Sequence, residues 1–264
     1  MKTVFRELGI TFRFLFRSGG NTLVASVILT LGLAVTIFMF SAINSFILKP
    51  LPFPESERLV HLEHSSPEDD SISINTHDLL DWRASQKSFE NLAAFYQGTI
   101  NLSGQTRAER FDGAYMTHNV LSELRVKPYL GRLFLPGEDQ PGAAAVVILG
   151  FDLWRNRYHS DPNIIGKPIR VNAKETVVVG VMPPGFQFPA REDVWIPLTL
   201  DLKKIKRGQG PSMEVFGRLR KGVTLSEAQA EFRAISSRLA KEYPDTNKEL
   251  MAILKPYAHE YVGT

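Results

Sequence analysis

The stretch VILTLGLAVTIFMFSAINSFILKPLPFPESERLVHLE, residues 27–63, changes character over a few positions. It begins as an apolar run, reaches Lys49 and three prolines at positions 50, 52 and 54, and continues as the alternating sequence RLVHLE. Alternation of apolar and polar residues is typical of a β-strand with one buried face. The stretch therefore predicts an apolar helix that is joined through a short, proline-rich segment to a folded unit containing β-structure.

The apolar run is long enough to cross a lipid bilayer. No Asp, Glu, Lys or Arg occurs between Arg17 and Lys49, and the apolar character extends from about Leu23 to Leu48. A helix that rises about 1.5 Å per residue spans roughly 30 Å of hydrocarbon with about 20 residues. A cleaved signal peptide and a buried soluble helix are the alternatives, but signal-peptide cores are shorter and no clear cleavage site follows the run. We predict a transmembrane helix within residues 21–49.

The charge distribution predicts the orientation of this helix. Residues 1–49 contain five basic residues and one acidic residue, a net charge of +4, and four of the basic residues precede the apolar run. The positive-inside tendency then places the N-terminus in the cytoplasm and residues 50–264 in the periplasm, as a single-pass protein of the bacterial inner membrane. The spacing of apolar and basic residues within 1–20 predicts an amphipathic segment on the lipid surface, with a flexible basic leader as the alternative.

The composition of the remaining chain excludes several classes of function. Residues 50–264 hold 26 basic and 27 acidic residues, a net charge of −1, so they lack the broad basic surface that nucleic-acid binding needs. The absence of cysteine excludes disulfides, thiolate metal sites and cysteine nucleophiles. A phosphate-binding loop is also lacking, because Asp161 occupies the place of the first glycine before Gly166-Lys167. We therefore predict no cofactor on this chain.

Short strands and helices alternate irregularly after residue 50, which predicts the α+β class with a mixed sheet. The clearest helix follows a capping box formed by Thr224 and Glu227. The stretch 76–95, THDLLDWRASQKSFENLAAF, predicts one or two short helices that begin at a Thr76 cap. We expect residues 50–264 to form two lobes, lobe A from about 55–117 and 210–260, and lobe B from about 118–205.

Clusters of polar residues give little support for catalysis or metal binding. His61 and Glu63 face one side of a predicted strand and His64 the other, so a partly exposed edge is favoured over a zinc site. Glu138 and Asp139 predict a solvated turn rather than a calcium site. A third group, Asp78, Asp81 and Arg83, predicts a solvated face or an ion pair. We expect no enzyme; an exported enzyme would need a catalytic constellation that the sequence does not show.

Aromatic residues are predicted mainly as core residues. Trp82, Trp154 and Trp195 are expected to anchor the core rather than to stack on a ligand. Phe186 and Phe188 lie in PPGFQFP, residues 183–189, where flanking prolines favour an extended loop. These two side chains are candidates for an apolar contact with a partner, with core packing as the alternative.

Six segments together resemble, in the same order, the N-terminal half of MacB/FtsX-type ABC transporter permeases, nearest to the branch common in acidobacteria. They are LTLGLAVTIFMFSAINSFILKPLPFPESERLV, LLDWRASQKSFENLAAF, LRVKPYLGRLF, GEDQPGAAAVVILGFDLWRNRY, IIGKPIRVNAKETVVVGVMPPGFQFP and GRLRKGVTLSEAQAEFRAISSRLAKEYP. The resemblance implies a first transmembrane helix followed by a two-lobed MacB-like periplasmic core domain. It also implies an ABC ATPase partner, a homodimer or a second permease subunit, and three further transmembrane helices, so that this chain is a fragment or part of a split permease.

Together these features predict a non-catalytic permease component of an ABC-type export or mechanotransmission system. Movement of the first helix would reach the periplasmic unit through Pro50, Pro52 and Pro54, because proline limits backbone rotation where a Gly/Ser linker would absorb the movement. A membrane-anchored periplasmic binding or sensory module without transport activity is the alternative. No sequence feature identifies the substrate.

Overall fold

The computed structural model describes residues 19–43, 51–103, 108–201 and 204–258, and the chain divides into two compact units, Met1–Lys49 and Pro50–Thr264. The first unit contains helix α1 (Gly19–Ile43). Its apolar side chains, among them Leu23 and Phe38, are exposed. Within the described residues, no helix combines the length and apolar character needed to cross a membrane. The predicted amphipathic segment and the end of the predicted span, residues 1–18 and 44–50, lie outside the described residues, so both stay predictions.

The second unit is built on one mixed sheet of ten strands. The strands are β1 (Leu59–Ser65), β2 (Phe89–Ser103), β3 (Glu109–Met116), β4 (Leu130–Gly131), β5 (Val146–Leu149), β6 (Pro168–Val171), β7 (Lys174–Val181), β8 (Val194–Pro197), β9 (Glu214–Leu219) and β10 (Met251–Pro256). The helices are α2 (Thr76–Ser85), α3 (Val120–Glu123), α4 (Phe151–Arg157), α5 (Leu225–Glu242) and α6 (Pro244–Asn247). Two short 3-10 turns, Ser56–Arg58 and Pro162–Ile164, complete the described secondary structure. The predicted mixture of strands and helices is confirmed.

The strands follow the order β10-β1-β9-β2-β3-β8-β5-β7-β4, and β6 pairs with both β2 and β7. Most neighbours are antiparallel, while β3 with β8 and β5 with β7 are parallel. Strands from the predicted lobe A occupy one end of the sheet and strands from the predicted lobe B the other end. Because the β3–β8 pairing joins the two ends into one sheet, the division into lobes stays a prediction.

Consecutive residues of the central strands point to opposite faces of the sheet. In β2, Ala93 and Phe95 pack on one face, while Ala94 packs on the other. The face of Ala94 is covered by α2 and α5, where the rings of Trp82 and Phe232 meet edge to face at 5.2 Å. The opposite face is covered by α3 and by loop segments, and it contains the residues of the candidate site described below.

Helix α5 also closes the edge of the sheet at β10. The Gln229 side chain donates to the Ala252 carbonyl at 2.8 Å and accepts from the Leu254 N–H at 3.0 Å. The Ser236 hydroxyl accepts from the Ala252 N–H at 3.0 Å. These contacts satisfy main-chain groups that an open edge strand would present to another chain. The helix begins at the predicted capping box of Thr224, which is confirmed.

One predicted element is wrong in its second half. Helix α2 ends at Ser85, and the residues from Phe89 onward form β2 instead of a second helix. The strand is central, so apolar residues occupy both faces, and its pairing register with β9 shifts between Phe89 and Leu92. The resulting irregular spacing of apolar residues imitates a helical pattern. The cap of α2 is Asn75 rather than Thr76, because the Asn75 side chain accepts from the Asp78 N–H at 3.0 Å.

Candidate coupling site at the junction segment

The junction segment, residues 51–55, leads into β1 through a 3-10 turn. Leu51 and Phe53 are buried, at 6% and 7% exposure, while Pro52 and Pro54 are exposed. Proline fixes φ near −65°, so the two prolines favour an extended path that turns the alternate apolar side chains inward. Pro50 lies outside the described residues, and a coupling role for the three prolines stays a prediction.

The apolar side chains of the junction segment pack into an aromatic cluster centred on Phe188. Phe188 meets the ring of Phe53 edge to face at 6.1 Å and contacts Phe95 at 5.1 Å and Phe216 at 5.9 Å. With 0% exposure, Phe188 is a core residue, so the core-packing alternative applies and a partner cannot reach this side chain. Phe186 is half-buried, and a partner contact at Phe186 stays a prediction.

Arg218 on β9 fixes the main chain of the junction segment. Its guanidinium donates to the carbonyl oxygens of Pro54 at 3.0 Å and Glu55 at 2.6 Å, and to the Glu123 carbonyl at the end of α3 at 2.6 Å. The residue is 0% exposed. One buried side chain therefore joins three parts of the fold: the junction segment, a central strand and the end of α3. We call these contacts the Arg218 clamp.

The electrostatics of the clamp follow from its burial. Burial and then the nearby Arg125 lower the pKa of the Arg218 guanidinium below its ordinary value. Burial raises the pKa of the Glu123 carboxyl, against the effect of a 2.8 Å hydrogen bond from Asn91. All hydrogen bonds of Arg218 that the structure describes go to main-chain carbonyls. Such an arrangement stabilises a backbone path, because arginine is a fork of N–H donors that stays charged in proteins.

Glu55 reinforces the clamp from the exposed side. Its backbone is left-handed, with φ of 51°, and this turns the chain from the junction segment into β1. The Glu55 carboxylate binds Arg125 at 2.6 Å and also Arg58, and hydrogen bonds from Arg125 and then Arg58 lower its pKa to about 2. Arg58 in turn contacts Glu90 on β2 and the Leu219 carbonyl on β9. The junction segment is thus held to both strands.

The last described residues of the unit reach the same cluster. Val60 at the start of β1 pairs with Pro256 at the end of β10. The next residue, Tyr257, lies 5.0 Å from Phe216 and 6.4 Å from Phe188, measured between ring centroids. The first and last described residues of the unit therefore share one part of the core.

Other predicted polar groups are buried rather than solvated. His61 and Glu63 do face away from His64, as predicted, but the predicted partly exposed edge is wrong, because all three are at most 4% exposed. Glu63 accepts from Ser71 at 2.7 Å and contacts Lys255, while His64 stacks on Trp82 at 4.9 Å. Among the described residues, no group of three or more His, Cys, Asp or Glu side chains is placed to hold a metal ion.

The two remaining acidic groups are engaged by protein donors. Glu138 binds Arg132 at 2.6 and 3.0 Å, and Asp139, only 7% exposed, contacts the His118 ring at 2.9 Å. The predicted solvated turn is therefore wrong for Asp139. Asp78, with 0% exposure, forms the predicted ion pair, with Arg207 at 2.8 Å rather than with Arg83.

The predicted tryptophan anchors are confirmed, since all three tryptophans are at most 5% exposed. The Arg218 clamp is the feature that sequence reasoning missed. The sequence does contain a signal for the clamp. Arg218 is two residues after the buried Phe216 in the strand EVFGRL, so the two side chains lie on the same face of the sheet.

The second unit is thus a mixed sheet covered on one face by α2 and α5, with both ends of the unit in one aromatic cluster. Residues 22–235 match the family model of the MacB-like periplasmic core domain, and the chain belongs to this family. MacB/FtsX-type permeases work with an ABC ATPase partner, and the family is generally non-enzymatic. No curated protein matches the chain.

Three solved structures share the fold at low sequence identity. The periplasmic region of MacB from Actinobacillus actinomycetemcomitans has a TM-score of 0.56 and 12% identity, covering 78% of this chain and 92% of that one. A domain of a putative permease from Porphyromonas gingivalis has a TM-score of 0.56 and 15% identity, covering 77% and 92%. The extracellular domain of the noncanonic ABC-type transporter YknZ from Gram-positive bacteria has a TM-score of 0.53 and 10% identity, covering 74% and 99%. The acidobacterial branch stays a prediction.

Replacing Arg218 by Met should destabilise the second unit. The substitution keeps much of the apolar stem but leaves three main-chain carbonyls without their donor, and each buried unsatisfied group costs about 1–3 kcal/mol. We expect a loss of about 3 kcal/mol in the free energy of unfolding, measured by urea denaturation of the full chain with tryptophan fluorescence. The exposed Arg233 on α5 provides a matched control, and Arg233→Met should change stability by less than about 0.5 kcal/mol. Equal stability of the two variants would contradict the clamp.

The low pKa of Glu55 predicts a pH dependence of stability. The stabilisation by ionised Glu55 is fully present above the unfolded pKa of 4.5 and is lost as the pH falls towards the folded pKa of about 2. The difference in unfolding free energy between wild type and Glu55→Gln should therefore be constant above about pH 5 and shrink at lower pH. Urea titrations at several pH values measure this difference, and the exposed neighbour Glu57→Gln serves as control. A difference that stays constant down to pH 2.5 would contradict the assignment.

Proposed function

We propose that this chain is the permease component of an ABC-type export or mechanotransmission system. In this proposal, a separate ABC ATPase binds and hydrolyses ATP in the cytoplasm, and its movements reach the periplasmic unit through the junction segment. The chain itself contributes no catalytic group and holds no cofactor. The Arg218 clamp is the observation that supports this role most directly.

The clamp makes the junction segment suitable for passing on movement. A displacement of residue 51 cannot be absorbed by local unfolding of residues 51–55 without breaking the two hydrogen bonds of Arg218 to Pro54 and Glu55 and exposing Leu51 and Phe53. The prolines restrict backbone rotation within the same stretch. Movement at the start of the unit would therefore displace β9 and its neighbours in the sheet together.

The position of the other end of the unit supports the same role. Because Tyr257 shares the aromatic cluster with Phe53 and Phe188, a force applied through either end acts on the same part of the core. A domain that is moved by membrane helices needs such a common point, since widely separated attachment points would deform the sheet rather than move it as a body.

Membrane attachment belongs to this proposal. Residues 21–49 would cross the inner membrane once, with the N-terminus in the cytoplasm, residues 1–20 on the lipid surface and residues 50–264 in the periplasm. The apolar length of the sequence and its basic N-terminal flank support this topology. A second copy or another permease subunit would complete the assembly beside the ATPase.

Protease accessibility in intact spheroplasts tests the topology. With an epitope tag at each terminus, added protease should remove the C-terminal tag, because residues 50–264 are outside the inner membrane, and should leave an N-terminal fragment of about 5 kDa attached to the membrane. A cytoplasmic protein serves as the control for lysis. Full protection of the C-terminal tag, or a mature N-terminus beyond residue 48, would contradict the topology.

Uncoupling by junction variants tests the mechanism without knowledge of the substrate. The chain has no cysteine, so a single Lys221→Cys substitution allows a fluorophore to report the distance of the periplasmic unit from an acceptor on the lipid surface. In the assembly with its ATPase in nanodiscs, ATP with vanadate should change this distance. Replacing Pro50, Pro52 and Pro54 by Gly should reduce the change by more than about half, because the more flexible segment absorbs the movement, while ATP hydrolysis continues.

The matched control replaces three exposed prolines elsewhere, Pro136, Pro141 and Pro184, by Gly and should leave the distance change intact. A full distance change in the junction variant would contradict a coupling role for the prolines. If the wild-type assembly shows no change with ATP and vanadate, the transport proposal is wrong and a membrane-anchored binding or sensory module becomes the better description.

A further inference from the structure

A cleft of about 330 Å³ lies on the second unit, at the boundary between the two ends of the sheet. We call it the tyrosine cleft. Its lining residues come from β2, β3, the loop before β5, the β6–β7 hairpin and the end of β8. Among them are Tyr96, Tyr115, Glu138, Ala144, Asn172 and Lys174. The volume is at the small end of the range for ligand pockets, roughly 300–1,000 Å³.

One wall of the cleft is a rigid pair of aromatic rings. Tyr96 and Tyr115 are directly opposite each other in the β2–β3 pairing, and their rings stack at 4.7 Å with an interplanar angle of 7°. The Asn172 side chain donates to the Tyr115 hydroxyl at 3.0 Å and accepts from the Asn101 N–H at 2.9 Å. These contacts fix the Tyr115 ring against the β6–β7 turn, so the aromatic wall is formed before any ligand binds.

Several polar groups of the cleft can donate hydrogen bonds to a ligand. The Tyr115 oxygen accepts from Asn172, so its own proton is left to donate to another group. Among the described residues, no partner is recorded for the Tyr96 hydroxyl or the Lys174 ammonium group. Each of these groups would be complemented by an acceptor, and the ammonium group specifically by an anion.

Glu138, the one carboxylate among the described residues that line the cleft, does not oppose an anion strongly. Glu138 is bound by two hydrogen bonds from Arg132, at 2.6 and 3.0 Å, and accepts a third from the Leu135 N–H at 2.8 Å. The Arg132 contact lowers the pKa of Glu138 against the effect of burial, so its negative charge is paired near pH 7. Three consecutive small residues, Ala143 to Ala145, also line the cleft, and their short side chains allow a flat group to approach the main chain.

We propose that the tyrosine cleft is a binding site for a small planar aromatic anion. The ring system lies against the Tyr96–Tyr115 pair and the alanines, and the acidic group accepts hydrogen bonds from Tyr115 and Lys174. Stacking and apolar contacts select a ligand by its flat shape, and the hydrogen-bond donors select it by its negative charge. This inference concerns a different surface from the junction segment and does not depend on the proposed transport function.

The test uses 2-naphthoate as the probe and the full chain in lipid nanodiscs, with empty nanodiscs as the blank. Isothermal titration calorimetry should show saturable binding with one site per chain. The neutral isostere 2-naphthamide should bind at least about fivefold more weakly, because it cannot form an ion pair with the ammonium group. Lys174→Gln should weaken 2-naphthoate binding by roughly fivefold and Tyr115→Phe by about tenfold.

Two further variants keep the test independent of folding defects. Ala144 is exposed, so Ala144→Phe can fill the cleft without disturbing the core, and binding should be lost. The exposed Lys221→Gln lies outside the cleft and should bind like the wild type. Absence of saturable wild-type binding would overturn the proposal, and so would binding that is unchanged in both Ala144→Phe and Lys174→Gln. Equal affinity for the neutral amide would overturn the assignment of an anion.

Discussion

The interaction on which the second unit depends is the buried contact between Arg218 and three main-chain carbonyls. A guanidinium is costly to remove from water unless its charge and donors are satisfied. Here the carbonyls of Pro54, Glu55 and Glu123 accept from the two terminal nitrogens of the guanidinium, while Nε is buried without a partner among the described residues. The accepting carbonyls belong to the junction segment and to the end of α3, both distant in sequence from β9. The charge can be buried only while the junction segment is docked. Burial of Arg218 therefore makes docking of residues 51–55 part of the folding of the sheet.

The clamp and the sheet edge explain why the unit can act as one body. On one side, Arg218 and Phe188 tie the junction segment to the central strands. On the other, Gln229 and Ser236 hold β10 under α5, so the edge strand next to β1 is not free to peel away. The parallel β3–β8 pairing then continues the same sheet into the residues of the predicted lobe B. A movement applied at residue 51 is therefore passed to hydrogen-bonded strands on both sides of β9.

The sequence predicted elements whose signals are local. The capping box of Thr224 is confirmed because short-range geometry determines it. The first part of β2, residues 89–95, was predicted as helix because it is buried on both faces and its pairing register shifts, so only its neighbours in the sheet decide its conformation. The burial of His61 and His64 was misjudged for the same reason. Whether a polar side chain in a strand is solvated depends on which distant segment covers it, and periodicity does not contain that information.

The position of the tyrosine cleft gives it a physical connection with movements of the sheet. Its walls come from β2 and β3 on one side and from β8 and the β6–β7 hairpin on the other, which are the two ends that the β3–β8 pairing joins. A ligand that contacts both walls stabilises the arrangement in which the walls are closest, and by linkage any movement that separates them weakens its binding by the same free energy. The cleft can therefore respond to the junction segment only if the movement bends the sheet at the β3–β8 and β2–β6 pairings. If the unit moves as a rigid body, occupancy of the cleft and movement at residue 51 are independent.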